Sequence, residues 1–299
     1  MNLRKKFRAI MAGNRLVLMP GAYDALSARI MEAEGFEAIV AGGYAAIGSM
    51  LAQPDMGQSN MRDYADHYGR IAAAVEIPVY VDADTGFGGI HNVRQMVRSF
   101  EAAGVAGVFL SDQVFPNRCG YLPGKQVIPI EQMLAKIKAA LDARHDLDFF
   151  IAARTDAAGV AGLNAAIERC QLFMAAGVDM AKPMGFDTID EIKRAMREIP
   201  GPHMATLSQA AGNKKRSLED LEAAGAVAAT FPSIALFAAA HAVRNVLRIL
   251  KHKNSLAATF DHLLPLEDYY ELVGLKQQLA REEAYDKAAA TLAHKRAAE

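Results

Sequence analysis

Four times in this chain an amphipathic helical stretch ends on a glycine and passes at once into a short apolar run. The stops are Ala33-Glu34-Gly35, Ala102-Ala103-Gly104, Ala175-Ala176-Gly177 and Ala223-Ala224-Gly225. Glycine suits the left-handed residue that closes a helix. The runs that follow, at 38–41, 107–110, 179–183 and 226–231, read as strands, and four more lie at 16–20, 79–82, 149–153 and 203–207. They are nearly continuous in apolar side chains, as strands covered on both faces of a parallel sheet are. Between them the helical period returns, with Val93, Met96, Val97 and Phe100 on one stripe and Ile189, Ile192, Met196 and Ile199 on another. Eight alternating units predict an α/β fold of the (β/α)8 TIM-barrel type. A doubly wound open sheet is the alternative for the same alternation.

The barrel is assigned to residues 1–253. A long helix from Ser233 to about Lys253 ends it, and a second helix from about Leu266 to Arg296 makes 254–299 a helical extension. Tyr269, Tyr270, Leu272, Val273, Leu275 and Leu279 give that extension an apolar face too large for solvent. Either its own barrel or a partner subunit is expected to cover it.

In barrels of this type the functional side chains gather at the C-terminal ends of the strands. Those ends read Tyr23-Asp24, Gly42-Gly43-Tyr44, Asp82/Asp84, Asp112, Arg154/Asp156, Lys182 and Ser208-Gln209. Asp82 and Asp84 are the most informative. Residues i and i+2 of a strand share a face, so both carboxylates project together into the loop Thr85-Gly86-Phe87-Gly88. Like charges that close call for a cation, a proton or several donors between them, and carboxylate oxygens suit a hard ion such as Mg²⁺. A helix cap followed by a turn is the plainer reading of the same pattern.

The loop from Asp112 to Lys125 is long and rich in Gly and Pro, as lids at this face are. Within it Cys119 stands beside Arg118, a cation that favours the thiolate. A thiol there is positioned to protonate a carbanion or enolate; a surface cysteine is the alternative. Cys170 keeps helical spacing with Ile167 and Phe173 and belongs to the core.

The 299 residues are 52% hydrophobic and 22% charged with net charge −1, which provides one large core and no electrostatic footprint for nucleic acid. No apolar run approaches the roughly 20 residues that span a bilayer. The basic start, Met1 to Phe7, lacks the apolar stretch and cleavage site of a signal peptide. Two cysteines make no disulfide scaffold, and a reducing cytoplasm is the expected compartment.

Taken together and in order, Pro20-Gly21-Ala22-Tyr23-Asp24, Pro54-Asp55-Met56-Gly57, Asp82-Ala83-Asp84-Thr85-Gly86-Phe87-Gly88, Asp112-Gln113, Arg118-Cys119-Gly120 and Ala153-Arg154-Thr155-Asp156 resemble the isocitrate lyase/phosphoenolpyruvate mutase superfamily. The nearest likeness is to 2-methylisocitrate lyases and carboxyphosphonoenolpyruvate mutases, over about residues 5 to 290. The resemblance implies an α/β barrel that binds Mg²⁺ and a 2-oxo acid or its enolate, in a homotetramer or a dimer of dimers that exchange a C-terminal helix. It implies a carbon–carbon lyase acting on a substituted malate- or citrate-like acid. It places Asp82 and Asp84 at the metal and Asp55 in the active-site loop. Tyr44, Ala45 and Ala46 fall on the substrate carboxylate, Arg154 on the oxo acid, and Cys119 on the acid role, with Arg118 beside it. Gly120, Tyr121 and Thr206 complete the expected substrate contacts.

The chain also departs from that pattern. Ser111 and Met184 stand where the family has glutamates, Tyr121 where the lyase loop has histidine, and Thr206 and Gln209 where the seventh strand ends in Asn and Glu. A shell with fewer carboxylates holds Mg²⁺ more weakly. Lys182 lies two residues before Met184 and shares its face. Inside the barrel it would replace the metal's charge or form a Schiff base with a 2-oxo acid; otherwise it pairs with Asp156 or Asp84, or reaches solvent. A metal-independent aldolase or decarboxylase using Lys182, a P–C bond mutase and a member that only binds oxo acids are therefore the alternative functions.

Overall fold

A computed structural model of the chain describes residues 2–120, 122–186, 188–208 and 217–297. The elements run α1 (Leu3–Met11), β1 (Val17–Pro20), α2 (Ala25–Ala33), β2 (Ile39–Ala41), α3 (Gly43–Leu51), α4 (Met61–Ala73), β3 (Val79–Asp82), α5 (Ile90–Ala102) and β4 (Gly107–Ser111). They continue α6 (Ile130–Ala143), β5 (Phe150–Thr155), α7 (Ala158–Ala161), α8 (Leu163–Ala175), β6 (Met180–Pro183), α9 (Ile189–Glu198), β7 (Met204–Thr206), α10 (Leu218–Ala223), β8 (Ala228–Phe231) and α11 (Ile234–Lys253). A 3₁₀ segment (Ala257–His262), α12 (Leu266–Leu272) and α13 (Leu275–Ala297) follow.

All eight expected strands form, with ends within two residues of the sequence reading. Gly35, Gly104, Gly177 and Gly225 all adopt positive φ, between 84° and 97°, as helix stops require. The single helix expected from Leu266 to Arg296 is two helices, because Gly274 at φ 73° ends α12 before α13 begins.

Every strand pairing is parallel. One ladder runs β2-β3-β4-β5-β6 and the other β1-β8-β7. A bridge between Gly21 and Val40 links them. The fold is thus the expected α/β barrel, and among the described residues β6 and β7 do not pair. Two cores follow from the alternation along each strand. Ile39, Val81, Val108 and Ile151 pack outward on the helices. Val40, Tyr80, Phe109, Phe150, Met180 and Met204 fill the interior.

Helix α1 plugs the barrel floor. Phe7 stacks on Tyr80 at 5.2 Å between ring centroids and meets Phe150 edge-on at 5.1 Å. Beside it Arg8 and Arg144 both pair with Asp179, at 2.9 and 2.8 Å. The strands therefore open their functional side chains at the opposite end only.

Two compact units are resolved, Met1–Ala239 with all eight strands and Ala240–Glu299 with the C-terminal helices. In the second unit Leu256, Phe260, Leu266, Leu279 and Tyr285 are exposed. Among the described residues no helix is long and apolar enough to cross a membrane. Removing the floor plug with Phe7→Ala should cost about 3–5 kcal/mol, as a cavity among packed rings does. Chemical denaturation monitored by circular dichroism measures it.

Candidate active site

The barrel mouth is organised by Arg154. This side chain, 7% exposed, leaves the end of β5 and meets Asp156 with its Nη2 at 2.8 Å. Burial alone would push the Asp156 carboxyl up. Arg154, Lys125 and Gln113 more than reverse this, so it stays below the usual range. Gln113 Nε2 donates to Asp156 at 3.0 Å, and Lys125 Nζ lies 3.3 Å away. Lys125 Nζ also donates to the Gly120 carbonyl, which ties the Cys119 loop to the same carboxylate. A Cβ at Gly120 would stand 2.7 Å from Arg154 Nη2, so only glycine lets the loop pass over the pinned guanidinium. Arg154 Nε is buried and has no partner among the described residues. A donor held this way is ready for a ligand's oxygen.

A second buried pair supports the first from behind. Arg169 Nε reaches Asp112 Oδ2 at 2.8 Å; the same carboxylate accepts from the Thr155 hydroxyl at 2.5 Å and the Asp156 amide at 3.1 Å. Asp112 thereby locks the residues on both sides of the β5 end.

β3 ends at Asp82, whose carboxylate lines the mouth, while Asp84 lies past the strand end in a left-handed backbone (φ 50°), so the strand alternation expected to carry both does not reach it. Asp82 Oδ1 accepts from the Asp84 amide at 2.8 Å and Oδ2 from the Gly43 amide at 3.2 Å. Gly43 is the first residue of α3, so this carboxylate sits at a helix N-terminus. Asp84 Oδ1 accepts from the Thr85 amide. Asp55 folds in from the loop after α3 and is buried. Burial and the neighbouring Asp82 charge push Asp84 up to about 7 and Asp55 up to about 6.

One cavity collects these groups. Asp55, Asp82, Cys119, Gly120, Arg154 and Lys182 all line it. Its remaining walls include Gly43, Tyr44, Asn117, Met184, Thr206 and Thr230. Thr206 and Thr230 share a hydroxyl contact of 2.9 Å. Ala45 and Ala46 are buried and do not line the cavity. The α3 amides of Tyr44 and Ala45 have no carbonyl four residues back within their own helix, so they remain donors for an anion. Arg118 is not in the wall: it is exposed, and its guanidinium reaches the Pro123 carbonyl at 3.5 Å. The cation that shares the cavity wall with Cys119 is Arg154. Tyr121 and Gln209 lie outside the described residues. Asp84 sits behind Asp82, just off the cavity.

Lys182 does enter the interior. It is 4% exposed, in register with Arg154 on the adjacent strand, which in turn is in register with Ser111. Among the described residues neither Asp156 nor Asp84 pairs with it, and its Nζ lies 4.0 Å from Met204 Sδ. Its Nζ lies 4.6 Å from the Phe109 ring centroid. Burial, then repulsion from Arg154, bring it down to about 7 against the pull of Asp82 and Asp156.

Sequence reasoning gave no role to Asn117, Thr230 or Arg169. Asn117 and Thr230 are uncharged residues whose direction only the fold decides, and Arg169 looks like any polar helix residue until β4 and α8 are brought together.

Among the described residues no three Asp, Glu, His or Cys side chains close on a common point as a protein-enclosed metal site. Two adjacent carboxylates are nonetheless the set that Mg²⁺ accepts when it keeps waters and takes other oxygens from a substrate. Asp82 and Asp84 fit that arrangement.

The sequence matches the family model described as phosphoenolpyruvate phosphomutase over residues 7–251. It is 35% identical to the 2,3-dimethylmalate lyase of Eubacterium barkeri, over 93% of this chain and 96% of that one. Oxaloacetate acetylhydrolase, solved with the inhibitor 3,3-difluorooxalacetate, superposes with a TM-score of 0.90 at 30% identity, covering 95% of this chain and 97% of that one. Phosphonopyruvate hydrolase, solved with oxalate and Mg²⁺, superposes at 0.86 with 29% identity, covering 95% and 99%.

Replacing Arg169 by Met leaves Asp112 a buried carboxylate without its cation. The substitution should destabilise the fold by about 3–5 kcal/mol. Thermal and urea melts of the variant against the parent test this.

Proposed function

The chain belongs to the phosphoenolpyruvate phosphomutase family of the isocitrate lyase/PEP mutase superfamily, and from that premise we propose that it is a carbon–carbon lyase. Its substrate is a substituted malate- or citrate-like acid, and one product is a 2-oxo acid formed alongside an enolate. The observation that carries this reading is the convergence of Arg154, Cys119 and Asp82 on one cavity.

Each group has a task that its surroundings support. Arg154, pinned by Asp156 with Nε unpartnered, holds the carboxylate of the oxo-acid half. The Tyr44 and Ala45 amides add donors from the start of α3. Asp82 and Asp84 would hold Mg²⁺, with Asp55 accepting from water near it. When bound, the ion draws negative charge from the oxygens of the reacting acid. Cys119, on the loop tied down by Lys125, delivers the proton to the enolate carbon. Loop residues over the cavity keep water from competing for that carbanion.

The acid role requires a thiol, and a reducing cytoplasm preserves it. The exposed apolar residues of the C-terminal helices support assembly into a dimer or tetramer, with 254–299 as the assembling segment. Sedimentation velocity is expected to report an oligomer.

Turnover of 2,3-dimethylmalate, 2-methylisocitrate and oxaloacetate tests the assignment. Cleavage of at least one acid should be lost in EDTA and return with Mg²⁺; activity indifferent to EDTA would remove the metal from the reading. Cys119→Ser should lower kcat by about 10²–10⁴-fold with little change in KM, the signature of a lost proton donor.

A further inference from the structure

We propose that Lys182 is a covalent catalytic residue, whose amine condenses with the carbonyl of a 2-oxo acid held on Arg154. The inference rests on the oxo-acid pocket proposed above and adds to it a carbonyl chemistry that needs no metal.

Position carries it. Adjacent strands run about 4.8 Å apart, and Lys182 is in direct register with Arg154 on β5. Both side chains line the same cavity. In a 2-oxo acid the carbonyl carbon is bonded to the carboxylate carbon. A carboxylate clamped by Arg154 therefore delivers its carbonyl to the neighbouring strand's side chain.

Among the described residues, Arg154, Asp82 and Asp156 are the charged groups that act on Lys182. Arg154 repels its proton, while Asp82 and Asp156 attract it from a distance. Asp156 is already committed to Arg154 and Lys125. No carboxylate lies within ion-pair distance of Lys182 among the described residues, and its other neighbours are Met204 Sδ and the Phe109 and Tyr80 rings. A lysine that only balanced charge would be drawn onto a carboxylate. This one is desolvated and unclamped, the condition in which an amine is nucleophilic.

The chemistry balances. The neutral amine adds to C2 and forms a carbinolamine, whose hydroxyl takes a proton from water and leaves as water to give a protonated imine. In a 2-oxo acid with a carboxylate on C3, such as oxaloacetate, the C3–C4 bond then breaks. Carbon dioxide leaves, and the bonding pair moves into the C2–N unit to form an enamine. A proton from the Cys119 thiol or water adds to C3, and hydrolysis releases pyruvate and the free amine. The Thr206–Thr230 hydroxyl pair lines the same cavity.

The experiment treats the full-length protein with pyruvate, EDTA and sodium cyanoborohydride, followed by peptide mass mapping. Pyruvate binding is measured in parallel by calorimetry. The expected result is one reduced pyruvyl group per chain, on Lys182, with the label lost in Lys182→Met. Thermal melting checks that this variant folds, and the mapped site in the parent protein stands without it. Binding of pyruvate with no label, or label on other lysines alone, overturns the covalent role and leaves the oxo-acid pocket intact. Neither binding nor label overturns both.

Discussion

The ion pair between Arg154 and Asp156, closed from water at the barrel mouth, is the interaction on which the site depends. A buried pair is costly to form and more costly to break on one side. Here the cost is offset by a ring of donors on Asp156, from Gln113 and Lys125 as well as Arg154. Gln113 and Lys125 belong to the long loop after β4. Fixing the arginine and docking the Cys119 loop are therefore one event. Gly120 records it directly, since any side chain there would collide with the guanidinium.

Around this pair the charges are sorted. Arg154, Lys182 and Ser111 share one layer of β4, β5 and β6. Asp82, Asp84 and Asp55 gather on the β3 and α3 side, with Asp82 tethered to the Gly43 amide. Asp82 faces both groups: Arg154 and Lys182 favour its charge, and it in turn raises Asp84 and Asp55. A negative ligand meets the cationic layer, and a cation meets the acidic side. A small acid that binds an anion clamp while completing a metal's oxygen shell suits both.

Much of the barrel was legible in the sequence because its signals are local. A glycine after an apolar helical stripe marks a helix end, and all four such residues take the left-handed backbone. Strand ends followed from where apolar runs meet a polar residue. Spacing put Asp82 at the mouth, but not Asp84, because the backbone turns left-handed past the strand end. The site was read less completely where a side chain's direction decides. Arg118 was expected beside the thiol because it is adjacent in sequence, yet its guanidinium turns to Pro123, and Arg154 is the arginine that lines the cavity with Cys119. Gly274 was passed over inside a helical pattern, although its backbone divides α12 from α13.

The sequence by itself determined the alternation, the parallel barrel and the set of polar residues at its mouth, since each depends on periods of two or 3.6 residues along one segment. The tertiary structure alone decided which of those residues meet. Asp112 finds Arg169 across 57 positions of sequence. Lys182 stands next to Arg154 with no carboxylate to hold it, because strand register set the two cations side by side after Asp156 had gone to the arginine. Periodicity names the face of a strand, but register and barrel closure choose the neighbour, and at this mouth the neighbour sets the charge and the chemistry.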